Sequence, residues 1–308
     1  MIFTVAGGGF GLYGYVPALL AWSGDPVVLP DVYRSKMERR AELRPSMSRI
    51  RWVESREAAY AAASGLVIAT PPNVQSDIVR QVLARYDVQA LVLEKPVATT
   101  PDSAAATLRT IAEAGKRTRV GYTLLFTHWC TALAWPVAGQ CAGVSIEWTF
   151  LAHHFAHGLD VWKRRVDDGG GVLRFYGVHL IALLASRGYD TVLASTTSGT
   201  KVTEPERWQA QFAGSGLPPC AVTVDSRAQR TRFRIVPEPL DAHRALVDLP
   251  SPVVESGAPG PAGDPRVPAL TALLRSLDDD DAKWALLYQR INDLWGRVEA
   301  ATMPLAAC

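Results

Sequence analysis

The chain has 308 residues, 48% of them hydrophobic and 20% charged, and a formal net charge of +2. That length suits two domains. The near-neutral balance without a basic run argues against a nucleic-acid partner, and no breaker-free apolar stretch reaches the ~18 residues a membrane helix needs. The four cysteines, Cys130, Cys141, Cys220 and Cys308, show neither metal spacing nor pairing logic, which fits a reducing cytoplasm and an exposed free thiol at Cys308.

Residues 2–6 form a short apolar run and predict a buried strand. Gly7, Gly8, Gly9, Phe10, Gly11 and Gly14 follow. Leu12, Tyr15, Val16, Leu19 and Leu20 then recur at helical spacing. Strand, glycine turn and helix make the first unit of a dinucleotide-binding fold, because a Cβ in the turn would intrude on a pyrophosphate and the helix N-terminus offers N–H groups to it. The fingerprint reads in two registers, Gly7-x-Gly9-x-x-Leu12 and Gly9-x-Gly11-x-x-Gly14. The first is preferred, since the strand runs straight into Gly7, and it sets Gly7, Gly9, Phe10, Gly11 and Leu12 at the cofactor. A glycine-rich turn with no ligand is the plain alternative. A signal peptide is excluded by the interrupting glycines and the lack of a basic start.

Residues 26–30 predict a second strand ending at Asp31, about 20 residues past the glycines, where a carboxylate meets a ribose 2′-hydroxyl. This favours NAD. Arg34 and Lys36 offer the NADP alternative, and a helix N-cap is a further reading of Asp31. Helices are expected at 35–43, 54–63, 74–85 and 101–115, and strands at 49–53, 65–69, 88–93 and 119–122. The strand at 65–69 leads into Thr70-Pro71-Pro72-Asn73, and the one at 88–93 ends in Glu94-Lys95-Pro96. A charged pair at that edge sits where open α/β sheets bind ligands. The alternation predicts an α/β architecture with a Rossmann-type doubly wound parallel sheet over residues 1–122.

The rhythm changes after Tyr122. A helix is expected at 127–137 and a strand at 143–152. His153, His154 and His157 follow; the 153/157 spacing suits a metal on a helix, but no Glu accompanies it and no metal site is expected. A loop lining a polar substrate pocket, or a solvated loop, is the preferred reading. Trp162-Lys163-Arg164-Arg165 leads to Gly169-Gly170-Gly171, a flexible approach to a helix over 172–186. On it Phe175 and His179 share a face, and Leu173, Tyr176, Leu180, Leu183 and Leu184 form the packing side. Strands at 192–198, 208–212, 219–225 and 231–236 predict an open, largely antiparallel mixed sheet. Residues 251–268 read as an exposed loop and 278–301 as a final helix with an acidic start.

Three stretches resemble the Gfo/Idh/MocA family of nicotinamide-dependent oxidoreductases. They are Val5 to Leu19 with its glycines; Ala69-Thr70-Pro71-Pro72-Asn73 with Glu94-Lys95-Pro96 and Val120-Gly121-Tyr122; and Trp162 through the glycine run to Gly177-Val178-His179. The resemblance implies a Rossmann domain followed, over 123–308, by an α+β domain for substrate binding and dimerisation. It implies NAD or NADP as cofactor, a sugar or sugar nucleotide as substrate, and a homo-oligomer. Lys95 would sit beside the nicotinamide and the reacting oxygen, and His179 would serve as acid/base. Thr70, Pro71, Asn73, Gln75 and Glu94 would join the cofactor site. Tyr122, Trp162, Lys163, Phe175 and Tyr176 would face the substrate, and Pro96 would follow a cis bond.

The departures from the family pattern are on the substrate side. Phe175 stands where an Asp is usual, four residues before the His, and Ala182 where a second follows. Thr123 and Leu125 replace an Asn and an Arg, and Gln75 replaces a His. A catalytically silent dinucleotide-binding sensor or scaffold is therefore the alternative reading.

Overall fold

The computed structural model describes residues 1–238, 244–253 and 263–305. Six short strands make the first sheet: β1 (Phe3–Ala6), β2 (Val27–Pro30), β3 (Ile50–Val53), β4 (Gly65–Ile68), β5 (Ala90–Leu93) and β6 (Arg117–Val120). Every residue of β1, β2, β4 and β5 is buried, as expected of strands covered on both faces. All pairings are parallel, in the order β3-β2-β1-β4-β5-β6. The order reverses between β1 and β4, whose C-terminal ends meet: Ala6 faces Ile68, and the Ala69 N–H donates to the Ala6 carbonyl at 2.7 Å. Such a switch point brings the glycine turn and Thr70 to one crevice mouth.

The connecting helices are α1 (Val16–Trp22), α2 (Arg34–Glu38), α3 (Arg56–Ala61), α4 (Pro72–Arg85) and α5 (Pro101–Glu113). Ser55 caps α3, its Oγ accepting from the Ala58 N–H at 3.0 Å. The helix expected over 35–43 stops at Glu38, and a 3-10 run containing Pro45 carries the chain to β3. Proline removes an intrahelical donor there.

In the second unit, α6 (His128–Ala132) is much shorter than the helix expected to 137, because Pro136 disfavours a helical Trp135. Strand β7 (Gly143–Leu151) and the short α7 (His153–Ala156) follow, then α8 (Val178–Arg187) and strands β8 (Thr191–Ser198), β9 (Arg207–Ala213), β10 (Cys220–Asp225), β11 (Arg227–Glu238) and β12 (Val247–Leu249). The last elements among the described residues are α9 (Val267–Arg275), α10 (Asp281–Ala301) and β13 (Thr302–Leu305). The second sheet runs β12-β11-β7-β10-β9-β8-β13. Pairs β7–β10 and β8–β13 are parallel and the others antiparallel, so the mixed, largely antiparallel character expected is present. Alternation along β9 buries Trp208, Ala210 and Phe212. The helical stretch Val166–Arg187 has the length and mean hydropathy, 1.3, of a membrane helix, yet 78% of that window is buried inside the protein. It is a core helix.

A single cut after residue 122 does not describe the packing. The first compact unit comprises Met1–Ala98, Ala105–Thr127 and the described residues of Gly257–Ala285; the second comprises Thr99–Ala104, the described residues of His128–Ser256 and those of Leu286–Cys308. The chain returns because α9, with Leu270, Leu273 and Leu274 fully buried, packs on α1. The exposed loop expected to residue 268 is corrected here: Val267 and Pro268 already begin α9. Residues 254–262 of that loop, and Cys308, lie outside the described residues. Arg119 of β6 is fully buried and donates to the Ser276 carbonyl at 2.9 Å and to Asp281 at 2.6 Å, tying the returning segment to the sheet.

Candidate active site

The glycine turn is built for close approach. Gly7 has φ +137°, and a Cβ there would lie 2.2 Å from the Ala69 carbonyl oxygen. Its N–H donates to the Tyr33 hydroxyl at 3.0 Å. At Gly9 an added Cβ meets nothing within 4 Å, so the turn's front is open. The helix winds from Gly9, whose carbonyl accepts from the Leu12 N–H at 2.9 Å, and residues Gly11–Tyr15 form a wide π-type turn. Gly7 takes a backbone conformation that favours glycine, and the space in front of Gly9 is clear. At the third position of the preferred register Leu12 is buried, its N–H is used within the helix, and close packing falls to Gly11, where a Cβ would lie 2.7 Å from Val5. The N–H groups of Phe10 and Gly11 open the helix and have no partner inside it.

At the sheet edge, Gln75 is fully buried and its Nε2 donates to the carbonyls of Glu94 (2.9 Å) and Pro96 (2.8 Å). Gln75 thus fixes the backbone on both sides of Lys95, a job its place in the sequence did not disclose. Lys95 itself is buried, and its bond to Pro96 is cis, as the resemblance implied. The Glu94 carboxyl turns inward, accepting from the Tyr15 hydroxyl at 2.7 Å and lying where a Cβ on Gly121 would come within 2.6 Å. Burial pushes this carboxyl's pKa up, against the opposing charge of Lys95 and the Tyr15 hydrogen bond. Pro71 and Asn73 flank the start of α4. The buried Thr70 Oγ1 and Gln75 Oε1 have no hydrogen-bond partner among the described residues. An open glycine front, unspent helix N–H groups and two unpartnered polar oxygens fit a group carrying phosphates and an amide.

Asp31 stands at the end of β2, its Oδ1 accepting from Arg34 Nε (3.1 Å) and Nη2 (2.7 Å), with the guanidinium 4.5 Å from the Trp52 ring. Lys36 reaches the turn as well: its Nζ lies 2.8 Å from where a Gly8 Cβ would stand. One carboxylate and two cations therefore lie just past the end of β2. Asp31→Ala should weaken NAD by about tenfold, the scale of a hydrogen bond to a charged group, and NADP by less. Titration calorimetry with both dinucleotides checks this, and a greater loss for NADP would reverse the assignment.

The second unit gathers Trp162, Lys163, Phe175, Tyr176 and His179 into one aromatic cluster. Ring centroids are 5.3 Å apart for Trp162 and Phe175, 4.8 Å for Phe175 and Tyr176, and 6.4 Å for Trp148 and His179. Lys163 Nζ lies 5.1 Å over the Phe175 ring. Tyr122, expected on the substrate side with them, lies buried in the first unit. Residues Val172–Gly177 form a second π-type turn ahead of α8. Four-residue spacing does not hold one face through a π turn, so Tyr176 shares the Trp148 ring with His179 instead of turning away to a separate packing side. The glycines before it are buried for packing, which corrects the flexible approach expected there: a Cβ on Gly170 would lie 2.2 Å from the Trp162 carbonyl. Arg174, paired with Glu299 at 2.8 and 2.9 Å, holds the turn. Trp148, Phe150 and His154 join the cluster; their sequence signal was only a strand's alternation and a histidine run.

The histidines divide. His153 and His157 are exposed with rings 4.2 Å apart, and His154 is buried, its ring parallel to Tyr176. Among the described residues no group of three or more His, Cys, Asp and Glu could hold a metal. Burial, with Lys163 and Arg164 nearby, lowers the His154 pKa to about 4. The unfolded chain therefore binds the extra proton first. Stability contributed by neutral His154 is full above its ordinary pKa near 6.5 and falls as pH drops toward 4. Denaturant melts across pH 4–7 should show a smaller loss in His154→Phe than in wild type; an identical slope would refute the assignment.

Fold and turn together define a dinucleotide-binding α/β protein. Residues 4–122 match the model of the Gfo/Idh/MocA oxidoreductase family, NAD-binding Rossmann fold. Among solved structures, KijD10, a 3-ketoreductase from Actinomadura kijaniata in complex with NADP and TDP-benzene, has a TM-score of 0.70 at 12% identity, covering 100% of this chain and 99% of its own. GenD2 from gentamicin A biosynthesis, in complex with NAD, has a TM-score of 0.68 at 15% identity, covering 98% of this chain and 93% of its own. A super-repressor mutant of Gal80p from Saccharomyces cerevisiae has 0.61 at 13% identity, covering 77% and 70%. At these identities the likeness is one of fold. No curated protein sequence matches the chain.

Proposed function

We propose that the protein is an NAD(P)-dependent oxidoreductase acting on a hydroxyl- or carbonyl-bearing carbon of a sugar or sugar nucleotide. The observation that carries this reading is Lys95, buried at the C-terminal end of a central parallel strand and clamped by Gln75, in the same Rossmann unit as the open glycine turn. The Phe10 and Gly11 N–H groups would hold the pyrophosphate, with Asp31 on the adenosine ribose and Thr70, Pro71, Asn73 and Glu94 along the nicotinamide half. A bound nicotinamide supplies hydride donor or acceptor chemistry. Lys95 would place its charge at the reacting oxygen, lowering the cost of charge that develops there. His179 would move the proton, since an imidazole does so near neutral pH. Trp162, Lys163, Phe175 and Tyr176 would shape the substrate pocket. Assembly into a homo-oligomer and a cytoplasmic location belong to the same proposal; they rest on the family resemblance and on the cysteine usage. The test is turnover of a nucleotide-sugar panel by purified protein with NAD and NADP.

The second reading is a silent dinucleotide-binding sensor or scaffold. It is favoured by Phe175 in place of an acid, and one fold neighbour is a super-repressor mutant of Gal80p. Tight dinucleotide binding with no hydride exchange on any substrate that binds would support it.

A further inference from the structure

We infer that Arg266 is a positioning residue of the dinucleotide turn: it holds the Phe10 ring, and with it the Phe10 and Gly11 N–H groups, in the arrangement that meets a pyrophosphate. This rests on the NAD-binding reading above. Arg266 stands just before α9, far in sequence from the glycine motif. Its guanidinium is fixed by Asp264, which accepts from Nε at 2.8 Å and Nη2 at 2.7 Å, and also from the Arg266 backbone N–H at 2.9 Å. Two parallel bonds set the plane of the fork as well as its place. The guanidinium carbon then lies 3.9 Å from the Phe10 ring centroid.

The seating of that ring explains Gly14. A Cβ there would lie 2.2 Å from Phe10 Cε2, so the ring lies against the helix surface only because residue 14 is glycine. Gly14 is therefore the seat of Phe10 and not the closing glycine of a second fingerprint. Phe10 also meets the edges of Tyr13 and Tyr15, both at 5.4 Å, and Tyr15 holds Glu94. The contacts run from Asp264 through Arg266, Phe10 and Tyr15 to the strand end that carries Lys95. Asp264 answers the Arg266 charge locally. Arg266 thus acts by holding Phe10, and the backbone N–H groups remain the phosphate ligands.

The test is calorimetric titration of NAD into wild type, Arg266→Met, Asp264→Asn, Phe10→Leu and the Arg266→Met/Phe10→Leu pair, with melting of the dinucleotide-free proteins alongside. Each single variant should lose affinity by about tenfold, the scale of one part-buried cation–π contact. The pair should lose no more than its worse member, because both remove the same contact. Arg266→Lys keeps the charge without the fork and should also lose affinity; with Asp264→Asn it decides the matter if Arg266→Met does not fold. Affinities within twofold of wild type, or losses that multiply in the pair, would overturn the inference alone. A wild-type protein that binds neither NAD nor NADP would overturn the NAD-binding reading and this inference with it.

Discussion

Gly9→Val should leave the protein folded and abolish dinucleotide binding, a loss of more than about 100-fold. The two halves of this expectation have separate causes. In the protein itself, a side chain at residue 9 meets nothing within 4 Å. Stability should therefore change by no more than the ~0.5–1 kcal/mol of a poorer helix start. The open volume is what a pyrophosphate must enter to reach the helix N–H groups, and branched methyls would occupy it. Gly7→Ala is the contrast. Its backbone sits at φ +137° and its Cβ would collide with the Ala69 carbonyl, so it should lower the melting temperature by several degrees and lose binding through damage to the turn. Calorimetry and thermal melts on the pair separate the two effects. If Gly9→Val binds NAD as tightly as wild type, the pyrophosphate does not lie over Gly9.

What could be read in advance follows the range of each signal. Strands β1, β2, β4 and β5 of the first sheet were legible because buried parallel strands are short, largely apolar runs, and the turn because only glycine tolerates its geometry. Glu94-Lys95-Pro96 was legible as charge at a strand end. Long-range partners were not. Arg119 and Arg266 gave no local sign that their partners were Ser276, Asp281 and Phe10. The return of α9 was hidden because its first turn continues a Pro- and Gly-rich run. Edge strands β12 and β13, of three and four residues, are too short to show a period. The aromatic cluster of the second unit was half legible. Trp162, Lys163, Phe175, Tyr176 and His179 stood out, while Trp148, Phe150 and His154 did not; the π turn at 172–177 also changes which of them share a face, and no periodicity in a stretch that short betrays it.

Lys95→Met should lower turnover by about 10²–10³-fold, equivalent to ~2.7–4 kcal/mol, while leaving NAD affinity within a few-fold. Met keeps the length and much of the apolar stem of Lys, so packing at a buried strand end is largely retained. What is lost is the ammonium, and Gln75 fixes the backbone around residue 95 whichever side chain it carries. The change therefore tests charge more than fold. His179→Ala should be comparably severe, since it removes the proposed proton carrier from a helix start held by Arg174 and Glu299. Phe175→Ala should behave differently: Phe175 has no proton to give, so it should raise KM more than it lowers kcat. Single-turnover kinetics with the substrate identified from the panel would measure all three. Near-normal turnover in Lys95→Met would reduce that residue to a structural one. Full activity in His179→Ala would show that the acid/base role does not carry over to this chain. Should a Phe175→Asp protein gain turnover on a substrate that wild type binds without converting, the aromatic ring at 175 would be the feature that silences the site, and the sensor reading would stand.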